Sequence, residues 1–160
     1  MGWRGKVLKF FTGSATHKVD AKGRVSLPAS FRKVLENLES THVVVVPRMY
    51  QPDYHVAMSQ AGHQAIIKQI EGFKLKGDKR AALGRHVITK AQQIPFDDTG
   101  RMVLSSDLRE QIGLDGEVRF AGQGSFFELW EPGKCDAYED SLVDLGEDLV
   151  SLIELDGLHG

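Results

Sequence analysis

The sequence predicts an α+β protein, mostly β, made of two related halves in tandem. Residues 16–33 read T-H-K-V-D-A-K-G-R-V-S-L-P-A-S-F-R-K, and the chain from Gln93 repeats this plan as Q-I-P-F-D-D-T-G-R-M-V-L-S-S-D-L-R-E. Short apolar runs of strand length follow each copy, and helical patterns lie between the copies and after them. Aligned without a gap, the copies share five identical residues: Asp20 with Asp97, Gly23 with Gly100, Arg24 with Arg101, Leu27 with Leu104, and Arg32 with Arg109.

Each copy begins with a strand that leads into a tight turn. Residues 10–19 lead into the first of these turns. Asp20 and Asp97 can accept hydrogen bonds from amides within their turns. Gly23 and Gly100 supply the positive φ of a three-residue hairpin loop with a bulge. These four residues are therefore predicted to form the turns, and each turn places an arginine at the first position of the returning strand.

The later elements follow from hydrophobic periodicity and helix signals. Pro28 begins a short helix over residues 28–38, and Ser105 or Ser106 caps its counterpart over 106–112. The predicted strands lie near residues 43–46, 54–58, 117–121 and 126–130. The predicted bridging helices span about 60–74 and 78–84, with a strand beginning near His86. An amphipathic helical segment follows Pro132.

Charge is divided unevenly along the chain, although the net charge is only −2. Residues 1–90 hold 16 basic and 6 acidic side chains, whereas residues 91–160 hold 4 and 16. A polyanionic partner would therefore meet the first part and not the tail. A solvated surface whose charges neutralise one another is the equally simple alternative. The predicted divisions are a basic extension (1–9), a first half with bridging helices (10–84), a second half (85–131) and an acidic helical tail (132–160).

The residue types and their spacing in this sequence give no support to several classes of function. No apolar run approaches the roughly 20 residues of a membrane span, so we expect a soluble cytoplasmic protein without a membrane partner. The six histidines show no metal-ligand spacing, and the single cysteine, Cys135, has no histidine nearby in sequence. We expect no enzyme activity, no metal, no cofactor and no small-molecule substrate.

Binding of DNA fits the inventory better. A β-ribbon can enter the major groove, where an arginine reaches guanine or phosphate. Arg24 has Lys18, Lys22 and Arg32 close in sequence, so the first turn is predicted to be an electropositive edge. Arg101 is surrounded by acidic residues, and for it a structural salt bridge to Asp97 is as good an interpretation as DNA contact.

The two turn motifs, D-A-K-G-R-V-S-L-P and D-D-T-G-R-M-V-L-S, together with F-E-L-W-E at 127–131, resemble the MraZ family of bacterial transcriptional regulators. The resemblance covers residues 10–130. It implies a double AbrB-like (SpoVT-AbrB) fold with two swapped hairpins, ring-like homo-oligomers and association with the nucleoid. It also implies repression through repeated boxes upstream of the division and cell-wall gene cluster that includes the regulator's own gene. By this resemblance Arg24 and Arg101 contact double-stranded DNA.

The second copy departs from the first in ways that reduce positive potential: Asp98 replaces Ala21 and Thr99 replaces Lys22. Ser105 also replaces Pro28, which makes the second helix start less rigid. We therefore expect Arg24→Ala to harm DNA binding more than Arg101→Ala. A protein-interaction module of antitoxin type, which uses the same hairpin fold and binds a partner through an acidic tail, is the alternative function.

Overall fold

The structure is a computed structural model that describes residues 8–158. Most of the predicted basic extension, residues 1–7, lies outside the described residues. Within the described part, eight strands and five α-helices alternate in the same order in both halves. The strands are β1 (Ser14–Lys18), β2 (Arg24–Ser26), β3 (His42–Val46), β4 (Tyr54–Met58), β5 (Gln92–Pro95), β6 (Arg101–Val103), β7 (Glu117–Gly122) and β8 (Phe127–Trp130). The helices are α1 (Ala29–Asn37), α2 (Gln60–Gly72), α3 (Gly77–Gly84), α4 (Ser106–Ile112) and α5 (Pro132–Leu149).

The strands of the two halves pair with each other. A six-stranded sheet has the order β1-β7-β8-β4-β3-β5, and β2 pairs only with β6 in a separate two-stranded ribbon. The relation is reciprocal, because β1 of the first half joins β7 of the second just as β5 of the second joins β3 of the first. The α+β class and the swapped hairpins are confirmed.

The predicted turns close locally, but the strands beside them then separate. The amide of Gly23 donates to the carbonyl of Asp20 (2.9 Å), and the amide of Asp20 donates to the carbonyl of Arg24 (3.1 Å). Beyond this loop, β1 and β2 find partners in the other half. Each hairpin therefore opens to admit a strand of its counterpart.

Two further hydrogen bonds lock the turns to the opposite half. The amide of Leu27 donates to the carbonyl of Gly100 (2.9 Å), and the amide of Leu104 donates to the carbonyl of Gly23 (2.8 Å). Each turn glycine therefore supplies the positive φ of its own turn. Its carbonyl also accepts a hydrogen bond from the residue that follows the ribbon strand of the other half.

The six-stranded sheet has a hydrophobic core on each face. One core contains side chains from the ribbon, α1 and α4, including Val25, Phe31 and Leu104. The other contains residues from α2 and α5, such as Ile70 and Cys135. The ribbon and the bridging helices thus lie on opposite faces of the sheet.

Most predicted elements after the turns are confirmed within one or two residues, including α4 and its N-cap. The Ser105 hydroxyl accepts a hydrogen bond from the amide of Leu108 (3.2 Å). Pro28 stands at the matching cap without a side-chain hydrogen bond.

The predicted strand near His86 was wrong. Residues Arg85–Thr89 form a π-helix that continues α3, and β5 begins only at Gln92. The β-branched run V-I-T suggested a strand, but Val87 is buried in the second core and its carbonyl accepts from Nε2 of His63 (2.9 Å). Tertiary contact with α2 outweighs the local β preference.

We predict that Gly23→Ala destabilises the fold more than Gly13→Ala. Both glycines have positive φ (86° and 80°), but a Cβ on Gly23 would lie 2.1 Å from the carbonyl oxygen of Leu104, whereas one on Gly13 meets nothing within 4 Å. The clash should add at least about 1 kcal/mol to the cost of the strained φ. Urea unfolding of both variants at one protein concentration measures the difference, and equal losses would contradict the close approach of turn and strand.

Candidate nucleic-acid interface

The first turn is organised by the carboxylate of Asp20. Its Oδ1 accepts from the amides of Lys22 (3.0 Å) and Arg24 (2.9 Å), and its Oδ2 accepts from Nε of Arg24 (2.5 Å). These bonds, above all those from the amide and side chain of Arg24, hold the pKa of Asp20 below its ordinary value. The ionised carboxylate thus fixes the loop and the direction of the arginine together.

The second turn has the same design with one addition. Asp97 Oδ1 accepts from the amide of Arg101 (2.9 Å) and from both the amide and hydroxyl of Thr99, and Oδ2 accepts from Nε of Arg101 (2.9 Å). The Arg101 amide and the Thr99 hydroxyl hold the pKa of Asp97 well below its usual range. Both arginines therefore form a salt bridge within their own turn, although only that of Arg101 was expected from the sequence.

The ribbon brings the two arginines onto one surface. In the β2–β6 register Arg24 lies opposite Val103 and Ser26 lies opposite Arg101, while Val25 and Met102 between them point into the core. Arg24 and Arg101 are thus diagonal neighbours on the outer face, a relation whose Cα atoms are usually about 7–8 Å apart. Their side chains are 65% and 71% exposed. Two motifs that are distant in sequence thus contribute an arginine each to a single exposed surface.

An open groove of about 760 Å³ runs along this surface. Arg24, Arg101 and Lys18 are among its lining residues, together with Val103. Val103 is 53% exposed and was missed by sequence reasoning. The repeat could have revealed this exposed valine. Val103 aligns with the polar Ser26, so an apolar side chain occupies a position that faces solvent.

The remaining predicted basic residues occupy different positions. Lys18 ends β1 at the groove, and Lys22 is exposed at the tip of the first turn. Arg32 instead reaches the second turn, where its Nη1 donates to the carbonyl of Asp98 (3.1 Å) and pairs with Glu36 (3.3 Å). Arg109 differs, because its Nε donates to the carbonyl of Leu104 in its own half (3.2 Å), at the point where Gly23 of the first turn approaches. Arg32 therefore braces the turn of the other half directly, whereas Arg109 holds the carbonyl of Leu104 beside the first turn.

The titratable groups with raised or lowered pKa outside the turns are buried or, for Arg119, half-buried, and none of them lines the groove. Burial lowers the pKa of His55 to about 4 and raises that of the Cys135 thiol to about 12. Among the described residues, no group of three or more His, Cys, Asp or Glu side chains is placed to hold a metal ion. No helix in residues 8–158 has the length and apolar character needed to cross a membrane.

Comparisons with known proteins agree with the tandem motifs. The family model described as "MraZ protein, putative antitoxin-like" matches residues 10–47 and 87–147. A "Transcriptional regulator MraZ" of Ruegeria pomeroyi is 33% identical over 162 residues, which cover 94% of this chain and 97% of the relative. The protein of that name from Rhodospirillum rubrum is 34% identical over 140 residues, covering 82% and 85%. The residues matched by the family model include both turns, both turn arginines and most of α5.

We predict that the free energy of unfolding decreases as the pH falls below about 4, and that it decreases less in the Asp97→Asn variant than in the wild type. A carboxylate whose pKa is below its ordinary 3.8 in the folded state stabilises the fold fully above that value. This contribution disappears as the pH falls through the lower folded pKa. Urea unfolding from about pH 6 to about pH 2 measures the free energy of unfolding. Asp98→Asn, which leaves the hydrogen bonds of Asp97 in place, is the control and should keep the wild-type slope.

Proposed function

The chain belongs to the MraZ family, and on that premise we propose that it is a transcriptional regulator that binds double-stranded DNA through the β2–β6 ribbon. Its relatives are named transcriptional regulators, which are not a class of enzyme. The observation that carries the proposal is the single exposed ribbon face on which both motif arginines lie.

The ribbon has the form and chemistry needed to enter a major groove. A two-stranded antiparallel ribbon fits that groove, and an arginine reads guanine by donating two hydrogen bonds to O6 and N7. In both turns the aspartate binds Nε and so leaves the two terminal nitrogens of the guanidinium to face the DNA. The aspartates fix the orientation of the two guanidinium groups before DNA binds, which lowers the entropic cost of binding.

The other basic residues take separate roles in this proposal. Lys18 and Lys22 contact phosphates beside the ribbon, as their exposure and charge allow. Arg32, whose guanidinium is already bound to Asp98 and Glu36, supports DNA binding by holding the second turn in place.

Specific binding requires several subunits acting together. Each good arginine–guanine pair supplies only about 1–3 kcal/mol of discrimination. Linked subunits on repeated boxes gain avidity on the order of 10²–10⁴, and boxes about 10 bp apart present the same face of the duplex to successive subunits. We propose a ring-like homo-oligomer that represses transcription from boxes upstream of the division and cell-wall gene cluster containing its own gene.

We predict that Arg24→Ala abolishes specific binding, and that Arg101→Ala weakens it to a smaller extent. The two side chains have matched geometry, so their difference arises from the neighbouring charges, Lys22 at the first turn and Asp98 at the second. Gel shifts on the DNA upstream of the protein's own gene measure both losses. Because exposed charges are screened by salt, the two variants should converge as salt rises.

Arg85→Ala is the matched control, because Arg85 is an exposed arginine in the π-helix on the opposite face of the sheet. It should bind like the wild type. Normal operator affinity in a folded Arg24→Ala variant would overturn the role of the ribbon. Equal losses at low salt for Arg24→Ala and Arg101→Ala would show that local charge does not distinguish the two turns.

We also predict that Lys22→Ala weakens binding to operator and unrelated DNA by similar factors. A phosphate contact carries no base information but releases counterions, so its loss should lower the slope of log affinity against log salt by about 1 for each subunit engaged. Titrations at several salt concentrations measure that slope. A loss confined to the operator would instead assign Lys22 to base contact.

A further inference from the structure

Among the described residues, helix α5 is packed against the rest of the protein only at its beginning. Cys135 is buried, and the ring of Tyr138 stacks on Trp130 at 5.3 Å between centroids. From residue 139 to residue 156 every side chain is exposed. The second half of α5 and the short 3₁₀ turn that follows it therefore extend beyond the core. The tail predicted from the sequence thus consists of a packed beginning and an exposed part.

The exposed part, residues 139–156, combines large apolar side chains with negative charge, and we call it the acidic apolar tail. It contains eight aliphatic side chains at least 36% exposed, and within residues 139–156 no basic residue accompanies its acidic ones. The most exposed of the aliphatic residues are Leu145, Leu149, Val150, Leu152, Ile153 and Leu155. Short helices are marginal in water without tertiary packing, and a contiguous apolar patch marks an interaction surface. The tail requires a covering partner.

A complementary groove lies beside α2, and we call it the α2 groove. Ala65, Ile66 and Gln69 form one wall on α2, and Tyr50 and Phe126 from two loops form the other. Its volume is about 190 Å³, below the roughly 300–1,000 Å³ of small-molecule sites. The size suits inserted apolar side chains better than a free ligand.

The pseudo-symmetry of the two halves explains why this groove is open. With the first residues of α2 and α5 aligned, Met58 corresponds to Trp130 and Ile66 corresponds to Tyr138. In the second half these large rings stack together and fill the space between helix and sheet. In the first half the smaller side chains leave it empty.

Charge supplies the second complementarity. The bridging segment over residues 60–90 carries seven basic and two acidic side chains. Lys68 and Lys74 are exposed on and just after α2, the helix that supplies one wall of the groove. An acidic segment is attracted to this surface, while the same segment would be repelled by DNA phosphates.

We propose that the acidic apolar tail of one subunit docks in the α2 groove of a second copy of this chain. The proposal deepens the multi-subunit binding proposed above and rests on it. The partner is a second copy because this chain itself carries the basic, apolar surface that the tail requires. Since the tail and the groove are different surfaces, the contact is head-to-tail and closes into a ring or continues as a filament.

The location of the contact agrees with DNA binding. The α2 groove and the start of the tail lie on the sheet face that carries α2 and α5, whereas the ribbon lies on the other face. Docking therefore leaves the arginines of every subunit accessible.

Two variants separate the surfaces. Leu145→Asp with Leu149→Asp disables the tail, and Ala65→Glu places a negative charge in the groove; all three positions are exposed, so the core should fold. Light scattering after size exclusion measures the mass of each variant alone and of their equimolar mixture. Ala61→Glu is the matched control, being an exposed alanine of α2 that does not line the groove.

Each variant alone should be a monomer and Ala61→Glu should keep the wild-type mass. The mixture should form a dimer, because one variant retains an intact groove and the other an intact tail. A monomeric wild type, an unchanged mass of either variant, or a mixture that stays monomeric would overturn the proposal. A different protein bound in fixed ratio to the wild-type tail would do the same. Binding of the monomers to a single box, and its loss in Arg24→Ala, tests the proposed function independently.

Discussion

The pairing of β2 with β6 is the constraint on which the rest of the structure depends. Among the strands of residues 8–158, neither has a partner in its own half, so each turn opens to receive a strand from the other. The carbonyls of Gly23 and Gly100 accept the amides of Leu104 and Leu27, and this leaves no room for a side chain at Gly23. The same pairing fixes the buried and exposed sides of the ribbon, and with them the surface where the arginines lie.

Each turn aspartate serves both the fold and the proposed site. It closes a loop with backbone bonds and holds the arginine beside it with a charge-assisted bond. A surface salt bridge of this kind contributes little to stability by itself. Its value lies in orientation, because a long, flexible side chain that is already directed outward loses less freedom when it binds.

The internal repeat predicted much of this molecule. Local chemistry was sufficient for the turns, for α4 with its Ser105 cap, and for strands such as β4. The pairing partners could not be derived from local pattern, because a strand shows which side is buried but not which strand lies beside it. The π-helix at Arg85–Thr89 was missed for a related reason, since burial of Val87 under α2 depends on distant residues. At the proposed site, the repeat singled out Arg24 and Arg101, but that they lie on one surface became visible only from the fold.

The swapped pairing also has a consequence for the order of events during synthesis. The first turn is complete once residue 24 has been made, yet β2 cannot pair until β6 has been made, up to Val103. Until then the nascent first half carries open strand edges, a state that favours aggregation and slow folding. Contacts that span so much of the chain form late, so the proposed DNA-binding surface cannot assemble on the ribosome until both turns have been made.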